Sequence, residues 1–224
     1  MKKAISLFVS VTLVLASLFN LISCDRSYDE QEVKREARML IENSIMLNEI
    51  YWGEGIAYVE NASTSNGAYY EASFISLDKY GIRTLDDLKA KTRDVFSDGY
   101  CELIFSTTMS SVVDAEELQV YARYYQKYTD EYMTTPDCIM VYSHAKALIT
   151  GEAEYLYDTL EVIGSKKDTV YVTILANVTY DGKVQQKKIK IGLIEQNDGW
   201  RLDTPTYVSY NEKEDDYNNL QDDK

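Results

Sequence analysis

The chain has 224 residues, 45% of them hydrophobic and 27% charged, with a formal net charge of −14. So acidic a balance argues against nucleic acid and against adhesion to an anionic lipid surface, both polyanions, and leaves a basic partner or a cationic ligand open. A single histidine, His144, excludes a multi-histidine metal site.

The first element is a leader. Lys2 and Lys3 precede the apolar run AISLFVSVTLVLASLFNLIS, which ends at Leu21-Ile22-Ser23-Cys24, a sequence that resembles a bacterial lipobox. A run of this length is also long enough to span a bilayer uncleaved, but the cysteine ending favours cleavage and lipidation of Cys24. Residues 1–23 are then a lipoprotein signal peptide and 24–28 a lipidated tether. A single acyl chain holds a protein to a membrane only marginally, whereas two or three hold it stably. Lys2 and Lys3 depart with the leader, taking the formal charge from −14 to −16.

Ser27-Tyr28-Asp29-Glu30 has the form of a capping box. Val33, Ala37, Leu40, Ile41, Ser44, Leu47 and Tyr51 follow at helical spacing, predicting a long amphipathic helix that ends where Gly53 and Gly55 break the pattern. Residues 61–67 read as a loop and 69–77 as a strand. Thr84 caps a second helix with Leu85, Leu88, Val95 and Phe96 inward, and SDGYCELIF adds a further helical piece. From Asp114 onward, Leu118, Tyr121, Tyr125, Tyr128 and Tyr132 recur at steps of three and four, predicting another helix with a tyrosine face. With 20 Tyr against 5 Phe, tyrosine is this chain's general aromatic, and core packing explains that face better than an aromatic binding platform does.

CIMVYS (138–143) reads as a strand, and EYLYDTLEVIG as another, closed by Gly164. In residues 168–194 apolar positions alternate on both sides of Asp181-Gly182, a preferred hairpin turn. A two-residue loop there sets Ile174 opposite Ile189, Val172 opposite Ile191 and Val170 opposite Leu193, with Thr173 facing Lys190 and Leu175 facing Lys188 on the more polar side. Gln185 and Lys187 interrupt the apolar face near the tip, which suggests that the hairpin projects beyond its core. Asn197-Asp198-Gly199 turns the chain towards Trp200.

Helices first and strands later predict an α+β fold in which N-terminal helices pack on a curved antiparallel sheet formed mainly by the C-terminal half. One domain spans 29–208, and 209–224 is an acidic disordered tail.

Enzyme motifs such as GxSxG, HExxH, a glycine-rich phosphate loop and paired CxxC are missing. Cys138 and His144 would lie about 20 Å apart along a continuous strand, against a hydrogen-bond reach of about 3 Å. The pairs Asp86-Asp87, Glu116-Glu117 and Asp215-Asp216 read as helix starts and solvated charge rather than as metal ligands or an acid/base dyad. The sequons at Asn61 and Asn177 read as chance matches. Cys101 and Cys138 remain once Cys24 is lipidated, either as a disulfide or as two unpaired thiols.

The order YWGEG, a Tyr-rich crossover, TLDDLKAKTRDVFS, VYVTILANVTYDGK and DGWRLDTPTY resembles bacterial extracytoplasmic proteins related to the DL-endopeptidase inhibitor family (IseA-like). The ending is also similar to NTF2-like and cystatin-like lipoprotein domains. The first resemblance implies a non-catalytic protein, without cofactor, that binds a cell-wall hydrolase and blocks it; the lipobox and the tyrosine-striped segment depart from that pattern. The second implies a small-ligand pocket, for which Trp52, Tyr70 and Trp200 are the candidate binding residues. A third alternative is an enzyme with an Asp/Tyr site.

Overall fold

The computed structural model describes residues 28–63, 68–110, 112–113, 119–128, 137–196 and 199–211. The leader, Cys24, Ser27 and the acidic segment 212–224 lie outside them, as do Glu116-Glu117 and Asp215-Asp216. No helix among the described residues is long and apolar enough to cross a membrane.

Helix α1 (Glu30–Trp52) is capped by Asp29, whose carboxylate accepts from Gln31 N at 2.9 Å. The cap is therefore two residues later than the Ser27 box, where the acid also faces the positive end of the helix dipole. All seven residues of the sequence-derived stripe, Val33 to Tyr51, are buried. The helix stops at Gly53, whose N–H bonds back to Asn48 O and Glu49 O.

Two four-stranded antiparallel sheets follow the helix, in place of the one expected. The larger has the order β10-β9-β8-β7, built from β7 (Glu152–Lys166), β8 (Thr169–Tyr180), β9 (Lys183–Gln196) and β10 (Gly199–Leu202). Its central hairpin has the register read from sequence: Ile174 pairs with Ile189, Val172 with Ile191 and Val170 with Leu193. Asp181 and Gly182 both have positive φ, 49° and 74°, as a type I′ turn requires. Burying Val172, Ile174, Ile191 and Leu193 stabilises the fold by about 1.5–3 kcal/mol each, and a one-residue slip would turn all four outward.

The hairpin stays packed as far as the Val178–Gln185 pair, and only the turn from Thr179 to Val184 stands exposed. Val178 is fully buried, and Gln185 reaches the backbone of Asn211 through Nε2 to O at 3.1 Å and N to Oε1 at 3.1 Å. Tyr210 packs its ring on Tyr180 at 5.6 Å and is itself buried, so the packed chain continues past 208. Gly164 does not end β7 either: with φ 131° it sits at a register shift inside the strand, the kind of irregularity that bends a sheet.

The smaller sheet has the order β1-β2-β6-β5, from β1 (Tyr58–Ser63), β2 (Tyr69–Ala72), β5 (Tyr124–Lys127) and β6 (Cys138–Tyr142). The expected strand 69–77 splits after Ala72, and Phe74–Tyr80 forms the short helix α2. The tyrosine-striped helix is also corrected. Val112–Val113 and Gln119–Val120 form a two-stranded ribbon, β3 and β4, and Tyr124–Lys127 pairs with β6. Tyrosine suits a pleated surface as well as a helix, and pairing with the apolar CIMVY strand decides for the sheet. Leu118 and Tyr132 lie outside the described residues.

Helices α3 (Leu85–Val95) and α4 (Asp98–Thr108) complete the layer. Thr84 and Asp87 form a reciprocal capping box at α3, and Ser97 caps α4. Helix α1 packs on β7 and β10, while α3 packs on α1, α4, β5 and β10. The α+β class is thus the one the sequence predicts.

Candidate functional site

The second half of α1 carries a face beside its core stripe: Glu42, Ile45, Met46 and Glu49 fall at helical steps of three, one and three. This face forms one wall of a groove of about 620 Å³. The opposite wall is the start of β7 with the loop before it, contributing Ile149, Gly151, Glu152, Ala153 and Tyr155. Lys79 and Tyr80 from α2, and Tyr207 and Val208 from the C-terminal segment, also line it. Ile45 is 46% exposed, an apolar side chain that the groove leaves open to solvent.

Buried polar bonds hold the floor. Thr206 Oγ1 meets Ser44 Oγ at 2.7 Å and accepts from Asn48 Nδ2 at 2.8 Å, while its carbonyl accepts from the Tyr155 hydroxyl at 2.8 Å. The Tyr155 hydroxyl is thereby occupied and its ring lines the groove; burial, with Tyr157 nearby, pushes its pKa up to about 12. Gly151 makes the loop possible: its φ is +87°, and a Cβ there would meet Thr179 O at 2.7 Å.

The rim is acidic. Glu42, Glu49 and Glu152 line the groove with Lys79, whose ammonium lies 5.1 Å from the Tyr80 ring centroid, and Glu42 is paired with Arg38 at 3.0 Å. Glu49 is fixed by accepting from Glu54 N at 3.0 Å. Burial, and then the Glu49 charge, raise the Tyr80 phenol above its ordinary pKa.

Of the candidate binding residues, only Trp52 borders this region. It is 8% exposed, with its ring 5.8 Å from that of Tyr207, and its carbonyl accepts from Leu148 N and Ile149 N. Tyr70 lies on the smaller sheet, stacked on Tyr58 at 4.9 Å. Trp200 sits at the other end of α1, beside a small cavity of about 140 Å³ with Tyr28 and Asp29. The three aromatics do not form one pocket.

A second surface lies on α2 and β1. Helix α2 buries none of its residues, and Phe74 and Ile75 at its start are 73% and 81% exposed. Ser73 N donates to Ala57 O at 2.7 Å, which sets this tip against β1, the outer strand of its sheet, where Tyr58 and Val59 are also exposed.

Cys101 and Cys138 are separate free thiols, so the disulfide alternative is corrected. Cys101 is buried on α4 and donates to Phe96 O at 3.5 Å; Cys138 begins β6, with its sulfur 3.7 Å from that of Met140. Burial pushes Cys101 up to about 11 and raises Cys138 as well, with Glu71 adding to the second. Both are held as thiols, the form that is poor as a nucleophile. His144 is exposed and edge-on to the Tyr142 ring at 5.6 Å. Asp87 serves as a cap, and among the described residues no cluster of three His, Cys, Asp or Glu side chains is placed to hold a metal.

No protein-family model matches the chain, and no curated protein matches it.

Proposed function

We propose that the protein is a lipid-anchored extracytoplasmic binding module of the bacterial envelope, non-catalytic, that engages a cell-wall hydrolase through the α2 tip and the β1 edge. The observation that carries this reading is the projection of Phe74 and Ile75 beside β1, the outer strand of its sheet among the described residues. Two large apolar side chains exposed together are costly in water and suit insertion into a partner's cleft, and an outer strand offers main-chain hydrogen bonds to the same partner. Helix α1, about 34 Å long at about 1.5 Å per residue, separates this end from the end nearest Cys24. A tether of five residues followed by such a helix would hold the contact surface away from its point of attachment.

Binding of purified wall hydrolases from the same envelope, tested one by one by surface biosensor, checks the proposal. Phe74→Glu with Ile75→Ser should weaken the interacting hydrolase at least tenfold while leaving the melting temperature unchanged. Equal binding by the variant removes this surface from the account.

A second reading, carriage of a small ligand, is favoured by the groove beside α1, whose volume and mixture of apolar wall and polar rim suit a small organic molecule.

A further inference from the structure

Resting on the small-ligand reading, we propose that the groove beside α1 takes an amphipathic cation: an ammonium group carried on an aliphatic or aromatic body. The walls call for the body. Ile45, Met46, Ala153 and Val208 offer apolar surface from three separate segments, and a volume of about 620 Å³ is enough for a drug-sized molecule.

The rim calls for the charge. Glu42, Glu49 and Glu152 line the groove with Lys79, and because Arg38 pairs with Glu42 at 3.0 Å, the three carboxylates exceed the two neighbouring cations by one charge. Tyr207 adds an aromatic ring, whose negative quadrupole attracts cations, while the Tyr80 ring already has the Lys79 ammonium 5.1 Å from its centroid. An anionic amphiphile such as a fatty acid would bring like charge to the same rim. So would residues 212–224 of this chain, with six acidic residues against two lysines, which sets that segment aside as the occupant. The chain's charge of −14 further favours the approach of a cation over that of an anion.

Titration calorimetry on the full chain in phosphatidylcholine nanodiscs, with empty nanodiscs as blank, tests the proposal using octylammonium, octanol and octanoate, which share one tail. Octylammonium should bind at least tenfold tighter than octanoate. Glu42→Gln combined with Glu152→Gln should shrink that preference at least fivefold and leave octanol unchanged; both residues are exposed, so the fold tolerates the change. Met46→Trp, which fills the groove, should block all three probes. Equal affinity for the three probes, or a preference unaltered in the double variant, overturns the cationic class and leaves the carrier reading standing. Absence of binding by every probe, or binding that Met46→Trp does not affect, overturns the carrier reading itself.

Discussion

The guanidinium of Arg123 donates to the carbonyl of Gly53 at 2.5 Å, so a side chain beside β5 closes the C-terminal end of α1. The same group donates to Tyr51 O at 3.2 Å and to the Tyr124 hydroxyl at 3.2 Å. Helix α1 has no basic residue in its last turn, and Arg123, 8% exposed, supplies the missing positive charge to its carbonyls from another segment. Tyr124, fully buried, completes the joint by donating to Ile50 O at 2.7 Å and accepting from Ile56 N at 3.1 Å. Gly55 is required here: its φ is +84°, and a Cβ would meet the Tyr124 hydroxyl at 2.5 Å.

Removing that clamp leaves buried carbonyls unpaired, at about 1–3 kcal/mol for each group that water does not reach. Arg123→Met should therefore destabilise the fold by about 3 kcal/mol. Arg123→Lys should cost nearly as much, since an ammonium lacks the planar fork that spans two carbonyls. Urea denaturation followed by circular dichroism measures both, and a loss under about 0.5 kcal/mol, the range of ordinary surface substitutions, would show that the clamp is dispensable.

The groove depends on a second joint. Thr206→Val keeps the shape of the side chain but removes the oxygen that meets Ser44 and Asn48. An orphaned buried amide costs about 1–3 kcal/mol, against less than about 1 kcal/mol if water takes the place of the hydroxyl. The expected result is a loss of about 2 kcal/mol, with faster amide exchange at 206–208. Unchanged exchange there would mean that another contact holds the segment.

Thiol chemistry separates the two internal cysteines. In the native state an alkylating reagent should modify Cys138 well before Cys101, since Cys138 is half-buried while Cys101 is 1% exposed and its pKa is raised to about 11. The pH dependence has a definite sign. A folded pKa raised from about 9 means that the native state retains the proton, so this contribution to stability is full below pH 9 and is lost as pH rises through about 11. Mass spectrometry of timed digests reads the labelling order. Equal rates, or a peptide pair linked through Cys101 and Cys138, would contradict it.

At α3 the sign reverses. Backbone N–H groups of Arg83 and Thr84 donate to the Asp87 carboxylate and lower its pKa. Its contribution is present above the ordinary aspartate range and is lost as pH falls through the lowered value. Thr84→Ala should cost about 1 kcal/mol, within the usual range for an N-cap. Asp87→Asn should flatten the decline in stability below about pH 4. A Thr84→Ala protein as stable as the parent would leave the capping box without energetic weight.

The hairpin register was legible because two independent signals coincide, strict alternation of apolar residues and a turn dipeptide that fixes the loop length. The buried stripe of α1 was legible for a similar reason, since seven residues agree with one period. Tyr121, Tyr125 and Tyr128 misled because tyrosine is abundant enough to mimic a helical period while pairing equally well across a sheet. Of the groove only Ile45 and Met46 gave a local sign, as apolar residues outside the stripe. Its other walls come from 79–80, 149–155 and 207–208, and no short-range pattern joins segments so far apart in sequence. Gln185 interrupts the apolar face in the sequence because its partner, the backbone of Asn211, is also set by tertiary folding alone.

The most direct test of the binding-module account is photo-crosslinking from position 75, in place of Ile75, in intact cells carrying the full chain. The account predicts a discrete adduct with a cell-wall hydrolase that forms when Cys24 is present and is lost in Cys24→Ala, as the protein leaves the membrane fraction. An adduct profile without any wall hydrolase, or one unchanged by Cys24→Ala in a protein still held at the membrane, would contradict it.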